Sequence, residues 1–342
     1  MTSAPNAANP AASSLDKQHD EGWVFAAACS AAAWSSFAFL TVIIGSILFN
    51  AWGYLDWQFL TSYDSRFPAK AGVLAGIWGS FWVIVLTAVF SVPIGVGAAI
   101  FLEEYSTDTW LTRIIRTNLA NLAGVPSVVY GMLGLTVFVR MFGVFDKGGL
   151  VERTTHRDVD GIVLLGVDIP LPLGHHVISG ALTLTLLILP TIIVASQEAL
   201  RSVPPSIRHA ALALGASRWQ TIRGQVLPSS LPGIVTGVIL AISRAIGETA
   251  PLIVIGAATF VQFAPGGIDS PTEIFTNPRG VLAAPFDRFT VIPIQVYYWV
   301  GQPQVEFQRL ASAGIIVLLV LLLVLNGLAL FIRQRSQKNL KW

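Results

Sequence analysis

Six long apolar stretches divide this chain of 342 residues, at about 25–51, 73–102, 114–142, 177–198, 232–258 and 310–332. A helix needs roughly 20 consecutive apolar residues to cross the hydrocarbon of a bilayer, and each stretch is long enough to do so. Only 12% of the residues are charged, about half of the share that soluble globular proteins carry. We therefore expect an all-α, polytopic membrane protein with about six transmembrane helices.

Basic residues collect on one side of the predicted membrane. They are Arg113, Arg116, Arg201, Arg208, Arg218, Arg223, Arg333, Arg335, Lys338 and Lys341. The positive-inside rule places that side, with both termini, in the cytoplasm. The segments 52–72, 143–176 and 259–309 carry mixed charge and are predicted to be external loops. The net charge of +2 is too small to indicate a nucleic-acid partner.

The first 22 residues are rich in Ala, Ser, Asn, Asp and Pro and are predicted to form a disordered cytoplasmic tail. They do not resemble a secretory signal, because the apolar run from Trp23 to about Trp52 exceeds the roughly 7 to 15 residues of such signals. That run, with the loop after it, forms the unit 23–72. A transmembrane domain is predicted over 73–335, and a short cytoplasmic tail over 336–342. The single cysteine, Cys29, is expected to act as a small hydrophobe.

The third apolar stretch is interrupted by Asn118, Asn121, Gly124, Pro126 and Ser127. We expect its first half to be a broken or re-entrant helix, which is tolerated at membrane depth only where protein or a cavity surrounds it. Two hydroxyl groups, those of Ser127 and Tyr130, lie at this break. They either face a pore as hydrogen-bond donors or cap the break at Pro126.

A long polar segment, 199–228, precedes the fifth span. Apolar Leu212, Leu214 and Trp219 alternate with basic residues, and Gly215 separates two predicted short helices. Such a segment is either a rigid docking element or a helix lying in the membrane interface.

The fifth span contains an arginine and a glutamate. Arg244 lies 12 residues after Pro232, or about 18 Å along a helix, and so near mid-membrane. Glu248 follows four residues later, on the same predicted helix face. The two either neutralise one another in a local ion pair or form a gated path for an anion, since a guanidinium presents a planar fork of donors to an oxyanion.

Small residues recur every four positions beside these charges, at Gly233, Gly237, Ala241 and Ala245. Such a stripe allows two helices to approach closely. It predicts tight packing either within this chain or against a second subunit.

Two sets of motifs carry a resemblance to a known family. Ala210, Ala211 and Gly215, followed by Leu227 and Pro228, are spaced as in the EAA loop of the binding-protein-dependent ABC importer permeases. The family usually has Glu where His209 stands and Ile where Gln225 stands, which leaves an acidic anchor in this loop in doubt. The decapeptide SRAIGETAPL at 243–252 resembles the signature of the PstA-type permeases of phosphate ABC transporters, and the Thr-Ala-Pro-Leu ending is closer to PstA than to PstC.

Further segments agree with this resemblance, which covers about 73–335. They are GVPSVVYG at 124–131, Val203 with Pro204 in the loop, and TVIPIQVYYW at 290–299. Three features depart from the family pattern. They are the alanine-rich tail, a long segment at 143–176, and the lack of an Arg near Val194 to Ser196.

The resemblance implies a MetI-like ABC importer permease for inorganic phosphate in the inner membrane. The implied partners are a second, PstC-like permease, a cytoplasmic PstB-like ATPase dimer that contacts the loop, and an external PstS-like phosphate-binding protein. Arg244, Glu248, Ser127 and Tyr130 would line the substrate path. A permease for molybdate or sulfate, and a membrane scaffold for signalling that transports nothing, remain as alternatives.

Neither an ATP site nor a metal site is expected. No G-x-x-x-x-G-K-[ST] sequence is present to hold a nucleotide phosphate, so the chain is predicted not to be an enzyme, to need no cofactor, and to depend on a partner for ATP hydrolysis. His156, Asp158, Asp160, His175 and His176 lack a metal-ligand spacing and are interpreted as solvated loop residues. Glu103 and Glu104 are interpreted as an interfacial helix end.

Overall fold

A computed structural model describes residues 10–107, 109–144, 161–164 and 167–337. The long helices are α1 (Pro10–Ala51), α3 (Leu74–Ile100), α6 (Val177–Arg201), α9 (Leu227–Gly247) and α14 (Val305–Gln337). The shorter helices are α2 (Trp57–Thr61), α4 (Trp110–Leu122), α5 (Ser127–Gly134), α7 (Pro205–Ala213), α8 (Arg218–Thr221), α10 (Ala250–Val254), α11 (Glu273–Thr276), α12 (Pro278–Ala283) and α13 (Ile292–Val300).

Turns of π-helix extend three of these helices. Phe101–Tyr105 prolongs α3, Leu135–Val139 prolongs α5, and Ile222–Val226 joins α8 to α9. Short 3-10 turns occupy Pro68–Lys70, Met141–Gly143, Pro265–Gly267 and Ala284–Phe286. Strands β1 (Gly161–Leu164) and β2 (Val167–Pro170) form an antiparallel hairpin in which Gly161 lies opposite Pro170. Helices dominate the fold, as predicted.

Five helices are long and apolar enough to cross a membrane. They are Phe25–Ala51, Leu74–Tyr105, Val177–Arg201, Arg218–Gly247 and Val305–Gly327. A sixth span forms if Trp110–Leu122 and Ser127–Val139, which meet at 108°, count as one. The break predicted in the third span is therefore confirmed. Pro126 causes it, because proline lacks an N–H and disfavours helical backbone at the residue before it.

The fifth span differs from the predicted 232–258. Its helix already runs through Pro232, starting at Arg218, and it ends at Gly247. Pro251 explains the early end, since a proline ring would clash with the carbonyl group four residues before it. The chain then restarts as α10 after an extended Glu248.

The predicted disordered tail at 1–22 also differs from the structure over its described part. Helix α1 begins at Pro10 and continues without a break to Ala51. Alanine and long polar residues favour helix, and a proline is tolerated in the first turn. Cys29 lies on the exposed surface of this helix.

Helix α6 lies at the centre of the bundle, between α3 and α9. Gly95 of α3 packs on Ile192, and Gly237 of α9 packs on Ala195. The main apolar core fills the space around these three helices, with Trp82, Val83, Leu184, Ile188, Ile192, Ala241, Ala245, Leu252, Phe289 and Ile294 among its buried residues.

The small-residue stripe on α9 faces α6 of the same chain. A Cβ atom added at Gly237 would lie 2.4 Å from the Cβ of Ala195, and one at Gly233 would lie 2.7 Å from that of Ala199. Ala241 and Ala245 are buried in the same core. Of the two predicted roles, the structure therefore supports packing within the subunit.

At one end of the bundle, Asp64 is buried between α2, α13 and the loop before α3. Its Oδ1 accepts hydrogen bonds from Trp299 Nε1 at 3.0 Å and from the Ser65 N–H at 2.9 Å. The ring of Phe59 packs on Trp299, with 5.9 Å between centroids. Burial raises the pKa of the Asp64 carboxyl to about 6.

The close approach at Gly237 gives a first prediction. Gly237→Ala should destabilise the protein by about 1–3 kcal/mol, because the added methyl group overlaps Ala195. Gly224→Ala is the matched control, since no atom lies within 4 Å of its added Cβ. Thermal unfolding of the purified proteins in detergent measures both. Equal midpoints for the two variants would contradict the packing described.

The buried carboxyl of Asp64 gives a second prediction. As the pH rises from about 4 to about 6, the unfolded chain releases a proton that the folded protein retains, so folding loses stability across this window. In the Asp64→Asn variant the side chain is neutral at every pH, so folding does not have to bury a charged carboxylate at this position. We expect it to raise the thermal midpoint at pH 8 and to lose this advantage at pH 4. An advantage of the same size at both pH values would show that Asp64 is not the cause.

Candidate functional site

The two broken spans meet inside the bundle. Gly131 of α5 faces the start of α10, where an added Cβ would lie 2.8 Å from Pro251 Cα and 2.9 Å from Val254 Cβ. Gly134, one turn later, is pressed against Thr183 of α6. The helices that follow the two breaks, α5 and α10, therefore pack on one another, whereas Gly124 and Pro126 at the first break are exposed on this chain.

Arg244 lies next to this meeting point, in the last turn of α9. The antiparallel pairing of Gly237 with Ala195 and of Gly233 with Ala199 extends along α9 and brings Arg244 level with the middle of α6. Its neighbour Ala245 is buried, whereas the Arg244 side chain is 50% exposed. The guanidinium of Arg244 is therefore accessible on the surface of this chain, near the end of α9.

Glu248 does not share a helix face with Arg244, contrary to the prediction from their spacing. The helix ends at Gly247, and Glu248 has extended backbone with ψ 112°. Its Oε1 still lies 4.0 Å from Arg244 Nε, a distance at the outer limit for an ion pair. The local ion pair exists but is loose, so the guanidinium keeps free donors.

Tyr130 spans the break in the third span. Its side chain is buried and its hydroxyl donates to the Leu122 carbonyl at 2.8 Å, so of the two predicted roles it takes that of closing the break. Ser127 is the first residue of α5 and is partly exposed, which leaves its hydroxyl available at the same break.

One polar contact beside Arg244 was not predicted. Ser243 Oγ donates to Asn326 Oδ1 on α14 and so ties the end of α9 to another span. An asparagine in an otherwise apolar final span is the sequence signal that could have indicated it.

The segment between α6 and α9 forms two short helices with a sharp bend, as predicted. Gly215 makes the bend with φ +83°, a conformation that side chains with a Cβ disfavour. Ser217 then caps α8 in a reciprocal capping box with Gln220. We call the predicted segment, residues 199–228, the coupling loop.

The tip of the coupling loop is apolar and open. Leu214 is 89% exposed, and Leu212 and Trp219 are about half exposed. Of the predicted coupling residues, Ala210, Gly215 and Pro228 are exposed, and Ala211 and Leu227 are partly buried. Contiguous exposed apolar groups of this kind mark contact surfaces.

Glu103 and Glu104 do more than end a helix in the interface, which corrects their predicted role. Glu104 binds the guanidinium of Arg208 with Oε1–Nη2 2.7 Å, and Glu103 binds Arg201 with Oε1–Nε 2.9 Å. These two carboxylates hold two arginines of the coupling loop, one in the last turn of α6 and one in α7. The sequence signal that could have indicated these contacts is the acidic pair at the end of the second span, together with the arginines of the loop on the same side of the predicted membrane.

The external histidines behave as ordinary loop residues where they are described. His175 Nδ1 contacts the Ile255 carbonyl at 2.5 Å, and His176 Nδ1 contacts the Leu173 carbonyl. No group of three or more potential metal ligands occurs among the described residues. His156, Asp158 and Asp160 lie outside the described residues.

Residues 91–338 match the family "binding-protein-dependent transport system inner membrane component". A probable ABC transporter permease, YqgI of Bacillus subtilis, is 31% identical over 89% of this chain and 92% of its own length. The phosphate transport permease PstC of Pasteurella multocida is 28% identical over 89% of each chain. PstA of Yersinia pestis is 29% identical over 76% of this chain and 72% of its own length.

A solved structure of a bacterial alginate ABC transporter has a similar fold. Its matching chain aligns with a TM-score of 0.59 over 93% of this chain and 97% of its own length, at 16% identity. The family match covers the broken spans, the coupling loop and Arg244. The chain therefore belongs to the binding-protein-dependent transport system inner-membrane components, and it is a multi-pass permease subunit of an ABC importer.

Proposed function

We propose that this permease moves inorganic phosphate inward across the inner membrane, by alternating access coupled to a partner ATPase. The observation that carries the proposal is the half-exposed guanidinium of Arg244, beside the meeting point of two broken spans. A charge at membrane depth is costly and is usually functional. The planar donors of a guanidinium suit a tetrahedral oxyanion.

The choice of phosphate rests on the relatives. The PstA and PstC proteins reported above are named as phosphate transport permeases. The Thr-Ala-Pro-Leu sequence at 249–252 favours a PstA-type subunit. Phosphate retains a proton at neutral pH that Glu248 would accept in a hydrogen bond, whereas sulfate has none to offer.

A second, PstC-like permease would complete the path. The small-residue stripe of α9 is already occupied by α6, so the partner would use a different face. The half-exposed side chain of Arg244, near the end of α9, would be accessible to that partner. The transported anion would then pass between the two subunits.

The apolar tip of the coupling loop would contact a PstB-like ATPase dimer in the cytoplasm. From Arg218 the chain is one continuous helical segment to Gly247, so a push on the loop acts directly on the helix that carries Arg244. This orientation follows the positive-inside rule and places both termini in the cytoplasm. A PstS-like binding protein would deliver phosphate to the external segments 52–72, 143–176 and 259–309.

Two other functions are less well supported. Molybdate or sulfate would also suit a single guanidinium, so the preference for phosphate depends on the relatives. A signalling scaffold that transports nothing could use the same loop, but it would have no need for a charge at Arg244.

The path gives a third prediction. Arg244→Gln should lower ATP-dependent phosphate uptake by about 100-fold, because it removes the donors that stabilise the anion. Glu248→Gln should abolish uptake as well, to the same limit of detection. Arg140→Gln, which alters an exposed arginine just after the broken third span, is the control. Uptake is measured in vesicles that contain the assembled complex. Normal uptake by either variant, at equal complex content, would remove that residue from the path.

The loop gives a fourth prediction. Gly215→Asp should uncouple ATP hydrolysis from transport, whereas Gly215→Asn should retain more coupling. Both residues tolerate the left-handed backbone, and no atom of this chain lies within 4 Å of an added Cβ. A difference in coupling between Gly215→Asp and Gly215→Asn therefore measures the effect of a negative charge placed against the ATPase. Substrate-stimulated ATP hydrolysis at the parent level in Gly215→Asp would count against the contact.

A further inference from the structure

The end of α3 presents three consecutive side chains to the coupling loop. Its last turn, Phe101–Tyr105, is π-helical, and it carries Glu103, Glu104 and Tyr105. A π-turn shifts the side chains that follow it around the helix axis and is frequent at functional sites. Each of the three contacts a different part of the chain between the end of α6 and α8.

Glu104 makes the strongest of these contacts. Its Oε1 accepts from Arg208 Nη2 at 2.7 Å and from Nε at 3.1 Å. The two side chains are only 10% and 21% exposed, so water screens the pair weakly. A fork of donors on one carboxylate also fixes the angle between the two groups.

Arg208 connects more than two elements. It also donates to the carbonyl groups of Val203 at 2.7 Å and Leu200 at 2.9 Å. A single guanidinium on α7 thus holds the end of α3 through Glu104 and the end of α6 through backbone oxygens. The coupling loop cannot tilt relative to either helix without breaking one of these bonds.

Two further contacts flank this pair. On one side Glu103 accepts from Arg201 Nε at 2.9 Å. On the other, the guanidinium of Arg218 lies over the ring of Tyr105, 6.0 Å from its centroid, within cation–π range. The contacts reach the end of α6, the middle of α7 and the start of α8 in turn.

A cavity of about 430 Å³ lies beside these contacts, and its walls include Glu104, Arg208, His209, Arg218 and Ile222. An apolar cluster that includes Leu102, Leu200 and Val226 also joins α3, α6 and the loop. Glu103, Glu104 and Tyr105 add directional polar contacts to this apolar packing.

We propose that Glu103, Glu104 and Tyr105 are positioning residues that fasten the coupling loop to α3, so that the loop and this helix move as one rigid unit during each ATP cycle. This inference rests on the proposed contact between the loop and an ATPase. Since α3 packs on α6 through Gly95 and Ile192, movement of the unit reaches the centre of the bundle. Without the fastening, movement of the loop would still reach α9 through the helix that starts at Arg218, but α3 would not follow.

Variants of the central pair test this function. Glu104→Gln and Arg208→Lys should lower the ratio of substrate transported to ATP hydrolysed by about tenfold, because each leaves a buried charge without its full partner. Glu198→Gln is the matched control. It removes an exposed ion pair with Arg201 at 3.5 Å at the same end of the bundle, and it leaves α3 untouched. The transported ion is whichever one the parent complex takes up, so the test does not depend on phosphate.

The ratio of substrate transported to ATP hydrolysed distinguishes a loss of coupling from a loss of folded complex. A residue that only stabilises the fold would lower the amount of complex, transport and hydrolysis together, at an unchanged ratio. That outcome would overturn the proposal, as would a normal ratio in both variants.

A second measurement uses the unaltered contacts and needs no substrate. Spin labels at the exposed residues Thr107 and Ser206, in a Cys29→Ala background, report the distance between the end of α3 and the start of α7. The proposal predicts the same distance with and without ATP in the assembled complex, and a broader distribution in Glu104→Gln. A shift of about one helical turn, roughly 5 Å, on ATP binding in the parent would show that the loop and α3 move separately.

Discussion

In hydrocarbon, a backbone N–H or carbonyl group without a partner costs several kcal/mol, and this constraint governs the whole structure. Most spans satisfy it as continuous helices. The chain breaks a span at Gly124 to Pro126 and interrupts helix again at Glu248 and Thr249. Tyr130 bridges the first break through a hydrogen bond to the Leu122 carbonyl, and Gly131 allows α5 to pack closely on α10, the helix after the second break. Gly124 and Pro126 themselves are exposed on this chain, so these contacts satisfy the constraint only in part.

The same constraint explains where charge is found. The end of α9 leaves unpaired carbonyl groups, and a positive side chain in its last turn is favourable there, which suits Arg244. At the other end of the same helical segment, Arg218 belongs to the coupling loop. About 45 Å of helix thus connects the surface proposed for the ATPase to the proposed anion path. Glu104 and Arg208 connect the loop to α3 in parallel, so two spans are joined to it.

Much of this could be predicted from the sequence, because span length, Pro126 and Gly215 act locally. The five continuous spans, the break in the third predicted span and the bend in the loop followed directly from those residues. The end of the fifth helix did not, since apolar character continues past Gly247 while Pro251 ends the helix for steric reasons. The contacts of Glu103 and Glu104 depend on residues about 100 positions away. No local pattern specifies such a pairing, and the same holds for Ser243 with Asn326.

The central claim is that Arg244 stands on the route of a phosphate ion driven by ATP. The most direct measurement is uptake of labelled phosphate, sulfate and molybdate into vesicles containing this permease with its co-purifying partners. The account predicts ATP-dependent entry of phosphate that excess unlabelled sulfate or molybdate does not suppress. Entry of sulfate or molybdate in place of phosphate would contradict the assignment of substrate. ATP hydrolysis without entry of any oxyanion would contradict the anion path itself.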